Sequence, residues 1–257
     1  MKTISILGSG MAGCGAAYRL YQAGVPTVMY DKHSHFGGHT ASYTFPGGWI
    51  FDEGPHVSFT QEKRIQDLLA TNIDGRFETL DTRVNNYWRG HWIKHPAQCN
   101  LHGLPAELVS RVLLDFIEAQ HKPDSVVANY EEWLRASFGN TFAETFPMEY
   151  TSKYHTTTAA NMNTEWIGPR LYRPKMEEVI RGALQPSSPD VHYISHFRYP
   201  SHVGFAAYLA PFMLMTDLRL GHELIRIDPS ARTLRFRNGK VERYDGLVSS
   251  IPLPELV

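Results

Sequence analysis

The sequence predicts an α/β fold, a nucleotide-binding unit of strands and helices interrupted by an inserted, mostly helical module. Three features carry that expectation. The chain opens as strand, glycine turn, helix and second strand. Its middle is aromatic-rich and reads as helices. Strand patterns return from Asp217 onward.

Each element has a local reason. Thr3–Leu7 is a short β-branched run of the kind buried on both faces of a parallel sheet. Met11–Ala23 carries Ala12, Ala16, Leu20 and Ala23 at helical spacing, and Gly24 is placed to end that helix. Val25–Tyr30 reads as a second buried strand that delivers Asp31 at its end. Ala41–Phe45 and Trp49–Asp52 flank Pro46-Gly47-Gly48 as a hairpin, and Asn86–Trp88 with His91–Ile93 flank Arg89-Gly90 as another. Helical patterns occupy Pro105–Gln120 and Tyr130–Phe138. Strands are expected at Leu218–Leu220, Leu224–Ile227, Thr233–Arg237 and Tyr244–Ser249, with Asn238-Gly239 as a tight turn. The expected division is 1–80 for the first part of the nucleotide domain, 81–200 for the insert and 201–257 for the return.

Composition narrows the function classes. The chain has 257 residues, 42% hydrophobic and 20% charged, with a formal net charge of -1. That balance offers no electrostatic footprint for nucleic acid or an anionic membrane. The two cysteines, Cys14 and Cys99, form no paired motif, which argues against a disulfide framework or thiolate zinc site and for a reducing compartment. Cys14 falls on the packing face of the first helix, as a small buried residue would. The apolar run Val203–Met215 contains Pro211 and is too short to span a bilayer. The expectation is a soluble, cytoplasmic protein with a small-molecule substrate, for which a homo-oligomer stays open. Thirteen histidines invite a metal reading. His33, His35 and His39 lie inside the glycine-loop stretch that follows Asp31, and the pairs His91/His95 and His192/His196 lack accompanying acids or cysteines, so no metal site is expected. The stripe Tyr87, Trp88 and Trp92 is expected to be core of the insert.

Gly8-Ser9-Gly10-Met11-Ala12-Gly13 is a G-x-G-x-x-G motif set between strand and helix. Gly8 allows the tight turn, Gly10 lets backbone approach a pyrophosphate, and Gly13 lets the helix lie against the strand. The helix start offers free N–H groups and a positive dipole end to phosphates. Asp31 stands where a carboxylate accepts bonds from ribose hydroxyls. Together these point to a Rossmann-like site for a dinucleotide.

Asp31-Lys32 followed by Gly37-Gly38-His39-Thr40 resembles the extended FAD fingerprint, and Phe51–His56 resembles the D-x-G-x-H turn near the flavin. Later stretches agree: Tyr130–Leu134 with Phe138-Gly139, the W-x-x-x-R turn Trp166–Arg170, the YP-x-x-G entry to a helix at Tyr199-Pro200 and Gly204, and the strand Tyr244–Pro252. The whole resembles the flavoprotein superfamily of amine oxidases, protoporphyrinogen oxidases and UDP-galactopyranose mutases. The resemblance implies an FAD-binding domain of the two-dinucleotide-binding type with an inserted substrate domain. It also implies FAD held by residues 8–13, Asp31, Lys32, residues 37–40, Gly54, Pro55, His56, Leu224 and Ser249. His56, placed beside the isoalloxazine by its Gly-Pro-His turn, is the catalytic candidate, with a structural loop histidine as the other reading.

For the substrate, Tyr150-Thr151-Ser152-Lys153 and Arg170 resemble mutase positions, with Arg170 suited to a diphosphate or, alternatively, to capping a turn. At His155 those enzymes carry a tryptophan that packs on uracil, and this departure puts mutase activity in doubt. The leading expectation is therefore an FAD-dependent oxidoreductase removing two electrons from a small organic substrate. The alternative is a non-redox flavoenzyme acting on a nucleotide sugar. Family members continue beyond the segment matched by Ile251–Pro254 into a G-D segment against the flavin. The expectation is accordingly a truncated chain that holds FAD loosely and tends to associate.

Overall fold

The computed structural model describes residues 3–122, 126–168, 171–186 and 194–256. In chain order, β1 (Ile4–Leu7), α1 (Met11–Gln22) and β2 (Thr27–Tyr30) form the opening unit. The hairpin β3 (Ser42–Phe45) and β4 (Trp49–Asp52) follows, then α2 (Lys63–Asn72) and β5 (Phe77–Asp81). Next come the hairpin β6 (Asn85–Trp88) and β7 (His91–Lys94) and the helices α3 (Ala106–His121), α4 (Tyr130–Phe138), α5 (Asn140–Thr145), α6 (Pro147–His155) and α7 (Met176–Leu184). The chain returns through β8 (His196–Pro200), β9 (Asp217–Arg219), β10 (Leu224–Asp228), β11 (Thr233–Phe236), β12 (Val241–Arg243), β13 (Gly246–Ser249) and α8 (Leu253–Leu256). Two compact units result, residues 1–80 with 196–257, and residues 81–195. His196–Pro200, grouped with the insert on sequence, is β8 and pairs with β5 in the first unit.

The first unit is built on a parallel sheet in the order β13-β1-β2-β9. Alternation along the strands sends the apolar residues of β1 and β2 to two buried faces. Ile6 and Met29 face α1, where they pack with Ala17 and Leu20. Leu7 and Tyr30 face the antiparallel sheet β10-β11-β12 and pack on Leu234 and Phe236. A third cluster joins Cys14 of α1, Leu69 and Ile73 of the α2 segment, and Phe205, Tyr208, Leu209 and Phe212. Three of those last four lie in 3₁₀ turns, Phe205–Tyr208 and Ala210–Met215, with Leu209 between them, where the YP-x-x-G resemblance implied a helix. Pro211 removes a backbone donor there and divides the segment. Cys14 is fully buried, and burial pushes its thiol up to about 12.

The second unit packs α3, α4, α5 and α7 around Leu101, Val112, Phe116, Leu134, Phe138, Phe142 and Val179. Asn129 caps α4 by accepting from Glu132 N at 3.0 Å, and Glu131 and Glu132 fill its first turn. The aromatic stripe of the β6–β7 hairpin divides between two faces, which corrects the expectation that all of it is core. Tyr87 pairs with Trp92 and Trp88 with His91, so successive residues point opposite ways. Trp88 packs against the core, whereas Tyr87 and Trp92 are 64% and 74% exposed and contact each other at 5.2 Å. Among the described residues no helix is long and apolar enough to cross a membrane, and no three His, Cys, Asp or Glu side chains group as a metal site.

Candidate functional site

The glycine turn, the end of β2 and the Gly-Gly loop converge at one corner of the first unit. Gly8 N donates to Tyr30 O at 2.8 Å, and Gly37 N donates to Ser9 O at 3.0 Å. Gly10 and Gly37 also form an isolated parallel bridge. The loop thus lies directly on the turn. Gly37 has φ +112°, a conformation side chains resist, and a Cβ there would approach Ala41 Cα to 2.9 Å. Thr40 closes the loop, its hydroxyl donating to Gly37 O at 2.7 Å.

Helix α1 begins without any side-chain cap and with no acidic residue in its first turn. Its first intrahelical bond is Cys14 N to Gly10 O at 3.0 Å, so the N–H groups of Met11, Ala12 and Gly13 precede the ladder. A Cβ on Gly13 would meet Gly8 O at 2.0 Å, so the helix can lie on the turn only with glycine there. A Cβ on Gly10 would meet nothing closer than Gly37 O at 3.7 Å. Open space and unbonded donors at a helix N-terminus suit an anionic pyrophosphate, so the cradle fits the phosphate half of a dinucleotide.

Asp31 supplies the acid at this corner and is buried. Its Oδ2 accepts from Ser9 N at 2.8 Å and Ser9 Oγ at 2.6 Å. Its Oδ1 accepts from His33 N at 2.9 Å and contacts His33 Nδ1 at 3.0 Å. Burial works to raise the Asp31 carboxyl, but the Ser9 hydroxyl and the His33 and Ser9 N–H groups outweigh it and hold it below the ordinary carboxylate range. The turn after β9 is clipped to the same corner, His222 N donating to Asp31 O at 2.7 Å and Gly221 N to His33 O at 2.9 Å. Leu224 follows at the start of β10, beside a β-bulge. Lys32 and His39 are exposed. Ser249 ends β13, and its hydroxyl accepts from Ile251 N at 3.2 Å.

The D-x-G-x-H and YP-x-x-G stretches meet at Asp52. That carboxylate accepts from Ser42 Oγ at 2.6 Å, Tyr199 OH at 2.6 Å and Phe205 N at 3.0 Å. Gly204, at φ +79°, lets the backbone pass, since a Cβ would stand 2.5 Å from Ser42 Oγ. Burial and the Asp52 carboxylate both push the Tyr199 phenol up. The residues carrying these motifs therefore form a structural tie. His56, two residues beyond Gly54, contacts Gly54 O through Nδ1 at 2.9 Å, and its ring lies 5.7 Å from Phe205. Its Nδ1 is engaged by its own turn.

Sequence reasoning placed Asp52 and Tyr199 in motifs without a role of their own, weighed His33 only as a metal ligand and did not single out His222. His33 and His222 flank the Asp31 corner, and His222 Nε2 is buried without a hydrogen-bond partner. Only His33 carried a local clue, its place two residues beyond the strand-end acid.

In the second unit, Tyr150 and Tyr154 lie one turn apart on α6, exposed and stacked at 5.3 Å with 13° between planes. His155 meets Tyr154 edge-on at 4.9 Å and lies 5.7 Å from Trp166. Arg170, the expected diphosphate ligand, lies outside the described residues.

Residues 6–71 match the family model of an NAD(P)-binding Rossmann-like domain. FAD-dependent oxidoreductase oblC of Cochliobolus heterostrophus is 34% identical over 73 residues, 28% of this chain and 15% of that protein. The 1-hydroxycarotenoid 3,4-desaturase of Flavobacterium sp. (strain P99-3) is 33% identical over 92 residues, 34% of this chain and 18% of the desaturase. Reduced UDP-galactopyranose mutase superposes with a TM-score of 0.90 at 27% identity, over 98% of this chain and 56% of the mutase. The chain thus spans little more than half of that mutase and a smaller share of the two curated relatives. The first unit, with its parallel sheet, glycine turn and strand-end acid, has a Rossmann-like fold that matches the NAD(P)-binding Rossmann-like domain over residues 6–71, in a chain that shares the fold of UDP-galactopyranose mutase.

Proposed function

We propose that this chain forms the FAD-binding domain and inserted substrate domain of an FAD-dependent oxidoreductase that takes two electrons from a small organic substrate. The observation that carries the reading is the corner where Asp31, the uncapped start of α1 and the Gly37-Gly38 loop meet. In this reading the N–H groups of Met11, Ala12 and Gly13 bind the pyrophosphate, Asp31 with Lys32 binds the ribose, and the backbone at Leu224 borders the adenine. Gly37 to Thr40 holds the turn in shape, while Gly54, Pro55, His56 and Ser249 border the isoalloxazine. Bound flavin supplies the two-electron chemistry, and the chain supplies position, electrostatics and exclusion of water. His56 is the candidate for proton transfer, through Nε2, because Nδ1 is tied to Gly54 O.

A second reading, a non-redox flavoenzyme acting on a nucleotide sugar, is favoured by one observation, the 27% identity to UDP-galactopyranose mutase across 98% of this chain. Tyr150, His155 and Arg170 would then face the substrate. Anaerobic titration separates the two. An organic substrate of the oxidoreductase bleaches the flavin absorbance stoichiometrically. A mutase interconverts UDP-galactopyranose and its furanose only after dithionite reduction, with no net change in flavin absorbance. A preparation that retains no flavin and binds neither FAD nor ADP overturns both readings.

A further inference from the structure

An ionised carboxylate has about four lone-pair sites, and at Asp31 four donor contacts already use them. Three come from groups that cannot leave. Ser9 N and His33 N are backbone, and Ser9 is fully buried. The backbone around the acid is itself clipped, by His222 N to Asp31 O and Gly221 N to His33 O. The fourth contact, His33 Nδ1 at 3.0 Å, belongs to a side chain that is 46% exposed. Ribose hydroxyls seek the same carboxylate in a dinucleotide site.

We propose that the His33 imidazole and a cofactor ribose hydroxyl are rivals for one lone pair of Asp31, so that His33 sets dinucleotide affinity by competition. The inference rests on the FAD-binding reading above and adds a residue that tunes it. His33 has a second contact besides Asp31. Its ring already stacks on His35 at 5.2 Å with 14° between planes, and His35 Nε2 is braced by Tyr43 OH at 3.3 Å, which donates to Glu53 at 2.5 Å. His33 is thus a positioning residue, acting on the cofactor through Asp31.

Isothermal titration of the protein with FAD, ADP and 2′,3′-dideoxy-ADP tests this. His33→Ala removes the rival, so FAD and ADP should bind about three- to tenfold tighter, the span of one modest hydrogen bond. Binding of the dideoxy nucleotide, which has no hydroxyl to compete, should not change. His33→Phe keeps the stacking surface without the donor and should match His33→Ala. Unchanged or weaker ADP binding in both variants, or an equal shift for ADP and its dideoxy analogue, overturns the competition and leaves the FAD reading standing. If the parent binds neither FAD nor ADP, the dinucleotide reading fails and the competition fails with it.

Discussion

Replacing Gly10 by alanine separates cofactor binding from folding, and Gly13→Ala is its mirror image. Gly10 sits at φ -76° and ψ -175°, extended backbone that any residue adopts. Its added Cβ would meet only Gly37 O at 3.7 Å and Gly38 Cα at 3.8 Å, ordinary van der Waals contact. Stability should therefore stay within about 0.5 kcal/mol of the parent. In the proposed FAD reading the methyl stands on the turn that a pyrophosphate approaches through backbone N–H groups. Loss of one such charge-assisted bond is worth about 1.5–3 kcal/mol, roughly a 10- to 150-fold weaker dissociation constant. Gly13→Ala places Cβ 2.0 Å from Gly8 O, so α1 must lift off the turn. Overpacking of this kind costs about 1–3 kcal/mol or more, a fall in Tm of roughly 2–4 °C for each kcal/mol. Thermal denaturation and ADP titration of both variants check the pair. A Gly10→Ala protein that binds ADP as tightly as the parent refutes the phosphate assignment, and a Gly13→Ala protein of parental Tm refutes the packing argument.

Other outcomes follow from the same geometry. Because the folded-state Asp31 carboxyl is held below its unfolded value of about 3.9, its stabilisation is complete above that pH and drains as pH falls through the lower folded value. Asp31→Asn should flatten this acid limb of the stability profile, read by urea midpoints between pH 2 and 7. Tyr199→Phe removes one donor from Asp52 and should cost about 1–3 kcal/mol. Gly204→Ala meets both a 2.5 Å contact and an unfavourable φ, and should cost more than Tyr199→Phe in chemical denaturation. Burial pushes the Cys14 and Cys99 thiols up to about 12, so both should resist a thiol-specific disulfide reagent at pH 8 until denaturant is added.

What the sequence revealed followed the range of the interactions involved. The β1–α1–β2 start was legible because each signal is local: a β-branched run, helical spacing, three glycines and an acid within one supersecondary unit. The β3–β4 and β6–β7 hairpins were legible from their turn residues. The Asp52 tie was not, because its partners Tyr199 and Phe205 are remote along the chain and hydrogen-bond complementarity has no period. The same holds for β8, which pairs with β5 across the insert. Tyr87 and Trp92 misled because aromatic content was read without the two-residue alternation that sends them outward. His33 was weighed as a metal ligand, whereas its partner is the acid two residues before it.

The boundary of the insert has an entropic consequence. Thr82 N donates to Ser195 O at 2.9 Å, directly beyond the β5–β8 pair. Bringing together the ends of a flexible loop of on the order of a hundred residues costs on the order of 4 kcal/mol. Once residues 81–195 have folded, their two ends already stand side by side, and that cost no longer falls on the host. For β5 and β8 the whole second unit then counts as one tight turn. A module closed at its base in this way can be lengthened, shortened or exchanged while the parallel sheet of the first unit keeps the same loop-closure entropy.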